Sequence, residues 1–572
     1  MVHPVGFEPT HLAALEPESS VYANFTTGAD WEIVYQKPPL SVNPLSSSRL
    51  DAMKMHLIQW QGMKLSLALT RRLAFAMSAA AVAPALASIP ILVYNEDNSH
   101  FIRRAPAEEY IRYFDSVCRG GVTHFFMCPN AMRSNIDSKW IEPLWKALDE
   151  PGKKTEWVHA TKWLHDNGID PYAIWIARAR EKGVSPWLTM RMNDVHSVNN
   201  PTYFGLSTTW KTMRETHRVP QCSGGSWHDQ AFDFAHPVVR KEHVGYIREL
   251  LEKYNIDGLE LDWMRFPYHL APGRETADAH YLTEVVREAR VAADIAAKRL
   301  GHPVKIGCRV TTSYEAALKI GTDPVAWARE RLIDWLVVCN FFATVDFNMD
   351  YAAWARLVHS ANPDVTVVPG LDSGVIKDYS GPIDGSRRQF LSLAEYRGWC
   401  DQQYAAGAPG CYVFNPFHFS EDSDVWKAIT TGGLSPTAVA RAARSYPISH
   451  RECAPNELMD QQLPARLDKT ARLRIRVGTP PSQGGGAALR IAFSDAVGDS
   501  TIASIRLNGV AATSTDRIPS EPWLCRGTGS AMCIRCEFPE KAVLAGVNTV
   551  SVGPGPASVT ACELDIMPGA AR

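Results

Sequence analysis

The sequence predicts an α/β protein: a (β/α)8 TIM barrel followed by a C-terminal all-β sandwich of jelly-roll type. Three observations carry this. Eight short apolar runs alternate with helix-like stretches between residues 91 and 432. Nearly every one of those runs carries a polar residue at or within two positions of its C-terminal end. Beyond residue 432 the texture changes to short alternating runs punctuated by Gly and Pro, as in a sandwich.

The eight expected strands are 91–97, 123–128, 186–193, 258–264, 304–311, 335–341, 366–372 and 410–415. Their continuous apolar character suits strands buried on both faces. The stretches 238–254 and 281–300 repeat apolar residues every three or four positions and read as helices. These place the barrel at 88–432. Residues 433–465, irregular and rich in proline, read as a linker. The runs 471–477, 488–493, 504–510 and 549–553 place the sandwich at 466–572.

Ahead of the barrel, residues 1–62 have no usable periodicity. Gly6-Phe7-Glu8-Pro9 resembles the translation of a tRNA T-arm, so this stretch is expected to be spurious, from a start codon placed too early. From Met63 the chain has a basic start, an apolar stretch at 73–82, and Ala85-Leu86-Ala87 before Ser88. That is the pattern of a secretory signal peptide over 63–87. Thr70-Arg71-Arg72 also resembles a twin-arginine signal, with a plain secretory signal as the alternative. Export to the periplasm or the cell exterior is expected.

The chain has 572 residues, 59 basic against 61 acidic, for a formal charge of −2. No basic stripe appears, so a nucleic-acid partner is not expected. No apolar run reaches 18 residues, so no membrane-spanning helix is expected. There are 12 cysteines. Cys128, Cys308, Cys339 and Cys411 fall in barrel strands as small buried hydrophobes. Cys525, Cys533, Cys536 and Cys562 fall near the C-terminus, where one or two disulfides are expected and a zinc site is the alternative.

In such barrels functional side chains stand at the C-terminal strand ends, and inward residues are two apart. In the segment 255–267 (NIDGLELDWMRFP), Leu259 and Leu261 face the helices, so Glu260 and Asp262 both face inward. Two inward acids repel and resist ionisation, an arrangement that general acid/base chemistry uses. The alternative is an ion pair with Arg309 or Arg265. Asp262 is expected as the principal catalytic carboxylate, Glu260 as its partner, and Asp97 and His196 as the next acid/base candidates. The other strand ends offer Asn95, Arg191, Asn193, Asp194, Arg265, Arg309, Asn340, Asp372 and Asn415, with His418 beyond, as substrate-binding groups. Trp187, Trp227 and Trp263 lie near these ends and could stack on a sugar face. No His-x-His and no H-E-x-x-H occurs, so no metal or other cofactor is expected.

Residues 232–268 resemble the family-10-like glycosyl hydrolases, TIM barrels of bacterial envelopes. The matching positions are Pro237, Val239, Arg240, Tyr254, Asp257, Gly258, Asp262, Arg265 and Pro267. The resemblance implies hydrolysis of an O-glycosidic bond, with a carbohydrate as partner. The segment 257–264 partly resembles the family 18 chitinase signature, but Met264 stands where that family has its catalytic Glu, which argues against a chitinase. Asp97 with His196 resembles the Asp and His of barrel exo-sialidases, with Arg191 or Arg309 then binding an acidic sugar. A carbohydrate-binding barrel without turnover is the rival from another class. Leu507-Asn508-Gly509 with 544–548 resembles galactose-binding-like jelly rolls appended to carbohydrate enzymes. The sugar, the linkage and the oligomeric state are left open.

Overall fold

The computed structural model describes residues 90–569, except 98–99, 223–224, 341–343, 384–386, 455–456, 459 and 525–527. The stretches read as a spurious start and a signal peptide lie outside the described residues. No helix among the described residues is long and apolar enough to cross a membrane.

Eight parallel strands close into a barrel. They are β1 (Ile91–Glu96), β2 (His124–Met127), β3 (Ser185–Arg191), β4 (Gly258–Asp262), β5 (Lys305–Val310), β6 (Trp335–Cys339), β7 (Thr366–Leu371) and, after a hairpin formed by β8 (Gly374–Ile376) and β9 (Arg388–Phe390), β10 (Gly410–Phe414). The closed order is β1-β10-β7-β6-β5-β4-β3-β2. Each expected strand is present, shorter by one or two residues, largely because the polar tips belong to loops.

Alternation divides each strand between two environments. Outward residues such as Leu92, Leu188, Leu259, Leu261, Ile306 and Val413 pack against the helices. Inward residues Val93, Phe126, Trp187, Trp335, Val337, Val368, Tyr412 and Phe414 fill the interior. Trp187 plugs the lower end. Its ring stacks on Phe126 with centroids 4.8 Å apart. A Cβ on the facing Gly258 would stand 2.4 Å from that ring, so only glycine leaves room for it.

Register then builds the layers. Thr189, Glu260 and Gly307 lie abreast, and above them Arg191, Asp262 and Arg309 lie abreast. The helix Pro237–Lys253 matches its expected span, opening with proline at the first turn, where a missing N–H costs nothing. The helix Glu275–Leu300 begins six residues earlier than its periodicity suggested and ends at Gly301 in the left-handed region, with φ 76°.

The C-terminal region is a sandwich. One sheet orders Arg444–Pro447, Ser558–Met567, Gly486–Phe493, Met532–Pro539 and Ser514–Arg517, with Ala465–Arg466 added against Ser558–Met567. The other orders Ala471–Val477, Gly546–Val552, Arg506–Leu507 and Val510–Ala511. Leu473, Ile475 and Val550 meet Leu489, Ile534 and Leu564 between them. The stretch 433–465, expected as a linker, contributes Arg444–Pro447 as a strand of the first sheet and carries the short helix Pro436–Ala440.

Asn508 and Gly509 both have positive φ, 51° and 82°, which is hairpin-turn geometry. The Asn508 side chain donates to Asn548 Oδ1 at 2.7 Å and accepts from Thr549 N at 2.8 Å. The paired Asn-containing segments therefore lock a turn.

The expected disulfides are absent among the described cysteines, and Cys525 lies outside the described residues. Cys536 and Cys562 sit on strands separated by Gly486–Phe493. Two interstrand spacings of about 4.8 Å exceed the reach of a disulfide. Cys533, three residues before Cys536, points to the other face of its strand, against Trp523.

Candidate active site

The C-terminal mouth of the barrel carries four arginines, Arg191, Arg265, Arg309 and Arg388, among four aspartates, Asp97, Asp194, Asp262 and Asp372. All but Arg388, which comes from the β8–β9 hairpin, lie at or just beyond a barrel strand end. Arg309 on β5 faces Asp262 on β4 in register and grips it at both oxygens, Nε to Oδ1 at 2.8 Å and Nη2 to Oδ2 at 2.7 Å. Asp262 also caps its own turn, accepting from Met264 N at 3.0 Å. The guanidinium of Arg309 lies 4.2 Å from the Phe414 ring centroid, and that of Arg265 lies 5.2 Å from it.

Arg191 ends β3 and bridges two acids: Nη2 donates to Asp97 Oδ1 and Nη1 to Asp194 Oδ2, both at 2.5 Å. Arg265 adds a longer contact to Asp97 Oδ2, at 3.4 Å. Asp194 Oδ1 in turn accepts from the His196 backbone N–H at 2.9 Å and lies 2.7 Å from His196 Nδ1. Burial works to raise the Asp194 pKa, but the His196 and Arg191 charges outweigh it and hold the carboxyl well below the usual range. His196 is lowered from its usual value by burial first, with Arg191 and Arg265 adding to the drop against the pull of Asp194. With Nδ1 directed at the Asp194 carboxylate, Nε2 is left to act on a substrate.

Across the mouth, Asp372 Oδ1 accepts from Ser373 Oγ at 2.9 Å and from Arg388 Nη2 at 3.0 Å. Asn415 Nδ2 donates to Asp372 Oδ2 at 3.3 Å. Asn415 takes the left-handed conformation, φ 55°, which asparagine tolerates, and its Oδ1 has no partner. Both amide atoms of Asn340 are buried without a hydrogen-bond partner. Unpaired amides at a strand end are hydrogen-bonding capacity that the protein itself does not use. Burial lowers His418, at the lip beside Asp372, to about 4.

Below this layer, Glu260 is fully buried. Its Oε1 accepts from Thr189 Oγ1 at 2.6 Å and from Tyr412 Oη at 2.9 Å, while Oε2 has no partner. Burial, with Asp262 adding to it, pushes the carboxyl up to about 7. Asn95 completes this buried cluster by donating to Tyr412 Oη.

The predicted residues thus sort by depth. Asp97 and His196 keep 13% and 18% of their side chains exposed; Asp262 keeps 2% and Glu260 none. Arg191, Asp194, Arg265, Arg309, Asn340, Asp372 and Asn415 converge on the mouth, and Asn95 lies beneath it. Two expected binding groups do not converge. Asn193 spends its amide on backbone, donating to Phe232 O at 2.8 Å and Tyr268 O at 2.7 Å and accepting from Phe232 N at 3.0 Å, so it latches two loops. Trp263 follows Asp262 and so points outward, fully buried between Phe234, His269 and Trp327. Trp187 is interior core, and Trp227 packs edge-on against Phe266 and Tyr268.

Four contributors escaped sequence reasoning. Thr189, Tyr412 and Phe414 stand inward by the same two-residue alternation that placed Glu260, and that signal was available. Arg388 comes from the hairpin inserted after β7, and nothing in its local sequence marks it.

A cavity of about 320 Å³ reaches Arg191 and Asp194 from the side of the loops after β2 and β3; Asp262 and Arg309 do not line it. Among the described residues, no group of three His, Cys, Asp or Glu side chains is placed to hold a metal ion.

No protein-family model and no curated protein matches the sequence. Solved structures similar to this chain include a Paenibacillus cycloisomaltooligosaccharide glucanotransferase, at 9% identity and TM-score 0.31, covering 85% of this chain and 58% of that one. A Chromobacterium violaceum chitinase matches at 9% identity and TM-score 0.31, covering 60% and 99%. A Geobacillus thermoleovorans α-amylase matches at 11% identity and TM-score 0.34, covering 81% and 98%. Similarity at this level carries no argument; the fold rests on the strand pairing above.

Proposed function

We propose that this protein is an exported glycoside hydrolase acting on a carbohydrate held at the C-terminal mouth of the barrel. One observation carries the reading: Arg191 ties together a partly exposed carboxylate, Asp97, and an oriented Asp194–His196 pair. That brings a charge-stabilising acid and a proton carrier to one point. Asp97 faces the positive charge that develops at the anomeric carbon, as nucleophile or as electrostatic partner. His196, protonated at Nε2, gives its proton to the leaving glycosidic oxygen and regains one from the water that completes hydrolysis. Asp262 has both oxygens engaged by Arg309. It fixes Arg309 at the pocket floor, and Glu260 supports that floor from below. Asn340, Asn415 and Arg265 retain unused polar atoms for sugar hydroxyls.

The test is a screen of sugars released from a broad glycan panel, including sialosides and uronides, with Asp97→Asn and His196→Gln alongside. Each variant is expected to lose roughly 10²–10⁴-fold in kcat. Full activity in both would overturn the assignment. A second reading has its own observation: Asp97, Asp262 and Asp372 are each paired to arginine, as a binding site without turnover would allow. Binding with no released sugar from any glycan would favour it.

A further inference from the structure

Phe390 stands out at the end of β9. It is a large aromatic side chain with 55% of its surface exposed, on a hairpin that also serves the mouth. Arg388, two residues earlier and on the same face, donates to Asp372 and lies 5.4 Å from the Phe390 ring centroid. The ring is held in place by neighbours, with Phe419 edge-on at 5.6 Å and His418 at 5.8 Å. One side of the platform is thus fixed by the lip of the mouth, and the rest is open.

The hairpin leads directly into a cavity of about 410 Å³ between barrel and sandwich. Gln389, Phe390 and Ser392 line it from the barrel, and Pro519, Pro522 and Trp523 from the sandwich. That volume lies within the usual range for small-molecule sites. Its lining charges Lys377, Glu395, Arg490 and Glu563 are paired, and Glu521 lines it as well. Lys377 pairs with Glu395 and Glu563, and Arg490 pairs with Glu563 and Asp565. Two polar atoms are not spent: Gln389 Oε1, an acceptor, and Arg490 Nε, a donor, are buried without partners. An exposed ring, proline walls, largely paired charge and one free acceptor and donor match an uncharged, hydroxyl-rich ligand with an apolar face.

We propose that this groove is a remote subsite for the same glycan chain whose bond is cleaved at the mouth, with one sugar ring stacked on Phe390 and the next reaching Gln389. The inference rests on the glycosidase reading and adds to it that the substrate is an extended, locally uncharged oligosaccharide, held partly by the sandwich domain.

The experiment compares hexasaccharides and disaccharides of the chito, malto, cello and xylo series as substrates of the full chain and of Phe390→Ala. Phe390 is too exposed for its removal to unseat the core. The expected result is that KM for the cleaved hexasaccharide rises about tenfold in Phe390→Ala. Its kcat stays unchanged, and the disaccharide of that series behaves alike in both proteins. Gln389→Ala should shift KM in the same direction by less. An unchanged hexasaccharide KM, or an equal loss on hexasaccharide and disaccharide, overturns the subsite and leaves the hydrolase reading intact. No turnover of any glycan by the unaltered protein overturns both.

Discussion

Glu260→Gln should make the protein more stable at neutral and alkaline pH. In the fold this carboxyl is buried, one oxygen lacks any partner, and its pKa rises to about 7 from an ordinary 4.5. Between those values the folded protein keeps a proton that the unfolded chain has released. Stability contributed by the protonated acid is therefore fully present below pH 4.5 and is lost as pH rises to 7. The slope is about 1.4 kcal/mol per pH unit, so the loss totals about 3 kcal/mol. Glutamine copies the protonated acid: its carbonyl takes the hydrogen bonds from Thr189 and Tyr412, and its NH2 occupies the place of the orphaned oxygen. It does not titrate. The assay is urea denaturation of both proteins at intervals from pH 4 to pH 8, followed by tryptophan fluorescence. The stability difference, variant minus unaltered, should climb by about 3 kcal/mol across that range and then level off. Parallel curves would refute the reasoning, because Glu260 would then titrate alike in the folded and unfolded states.

Asp262→Asn should cost about 3–5 kcal/mol, since it leaves the buried Arg309 without its counter-charge. The double variant Asp262→Asn/Arg309→Met should recover part of that loss in the same denaturation assay. Asn193→Ala removes three buried hydrogen bonds to backbone and should cost about 3 kcal/mol while leaving turnover per folded molecule within a few-fold, checked by denaturation and by active-site-normalised kinetics. If His196 supplies the proton, kcat/KM should fall as pH rises through its lowered pKa, so the limb should lie below the usual 6.5. A limb at higher pH, or one unchanged in His196→Gln, would assign the proton to another group.

The barrel was legible because parallel strands, covered on both faces, read as unbroken apolar runs such as those at 335–339 and 367–371, and because helices between them keep a different period. The polar tips named the mouth. What sequence could not supply was pairing. Four aspartates and four arginines converge there, and only register makes Arg309 the partner of Asp262 and Arg191 the bridge from Asp97 to Asp194. Asp262, expected as the principal catalytic carboxylate with an ion pair to Arg309 or Arg265 as the alternative, is gripped by Arg309 at both oxygens. Asn193 and Trp263 misled for a simpler reason. Trp263 stands one position beyond the inward Asp262 and so turns to core, whereas Asn193 stands two beyond Arg191, past the end of β3, where loop backbone takes its amide. The sandwich was half legible: Ala471–Val477 alternates cleanly, whereas Arg444–Pro447 is four residues ending in proline and gives no periodic signal.

The hairpin between β7 and β10 binds the fate of the two halves together. One of its strands delivers Arg388 to Asp372, and just past the other Lys377 lies buried between Glu395 of the barrel and Glu563 of the sandwich. A barrel cut free near residue 440 would strand Lys377 beside a single acid and strip the hairpin of its backing. The sandwich is therefore not an exchangeable module. Exchanging it for another accessory domain would unmake part of the mouth.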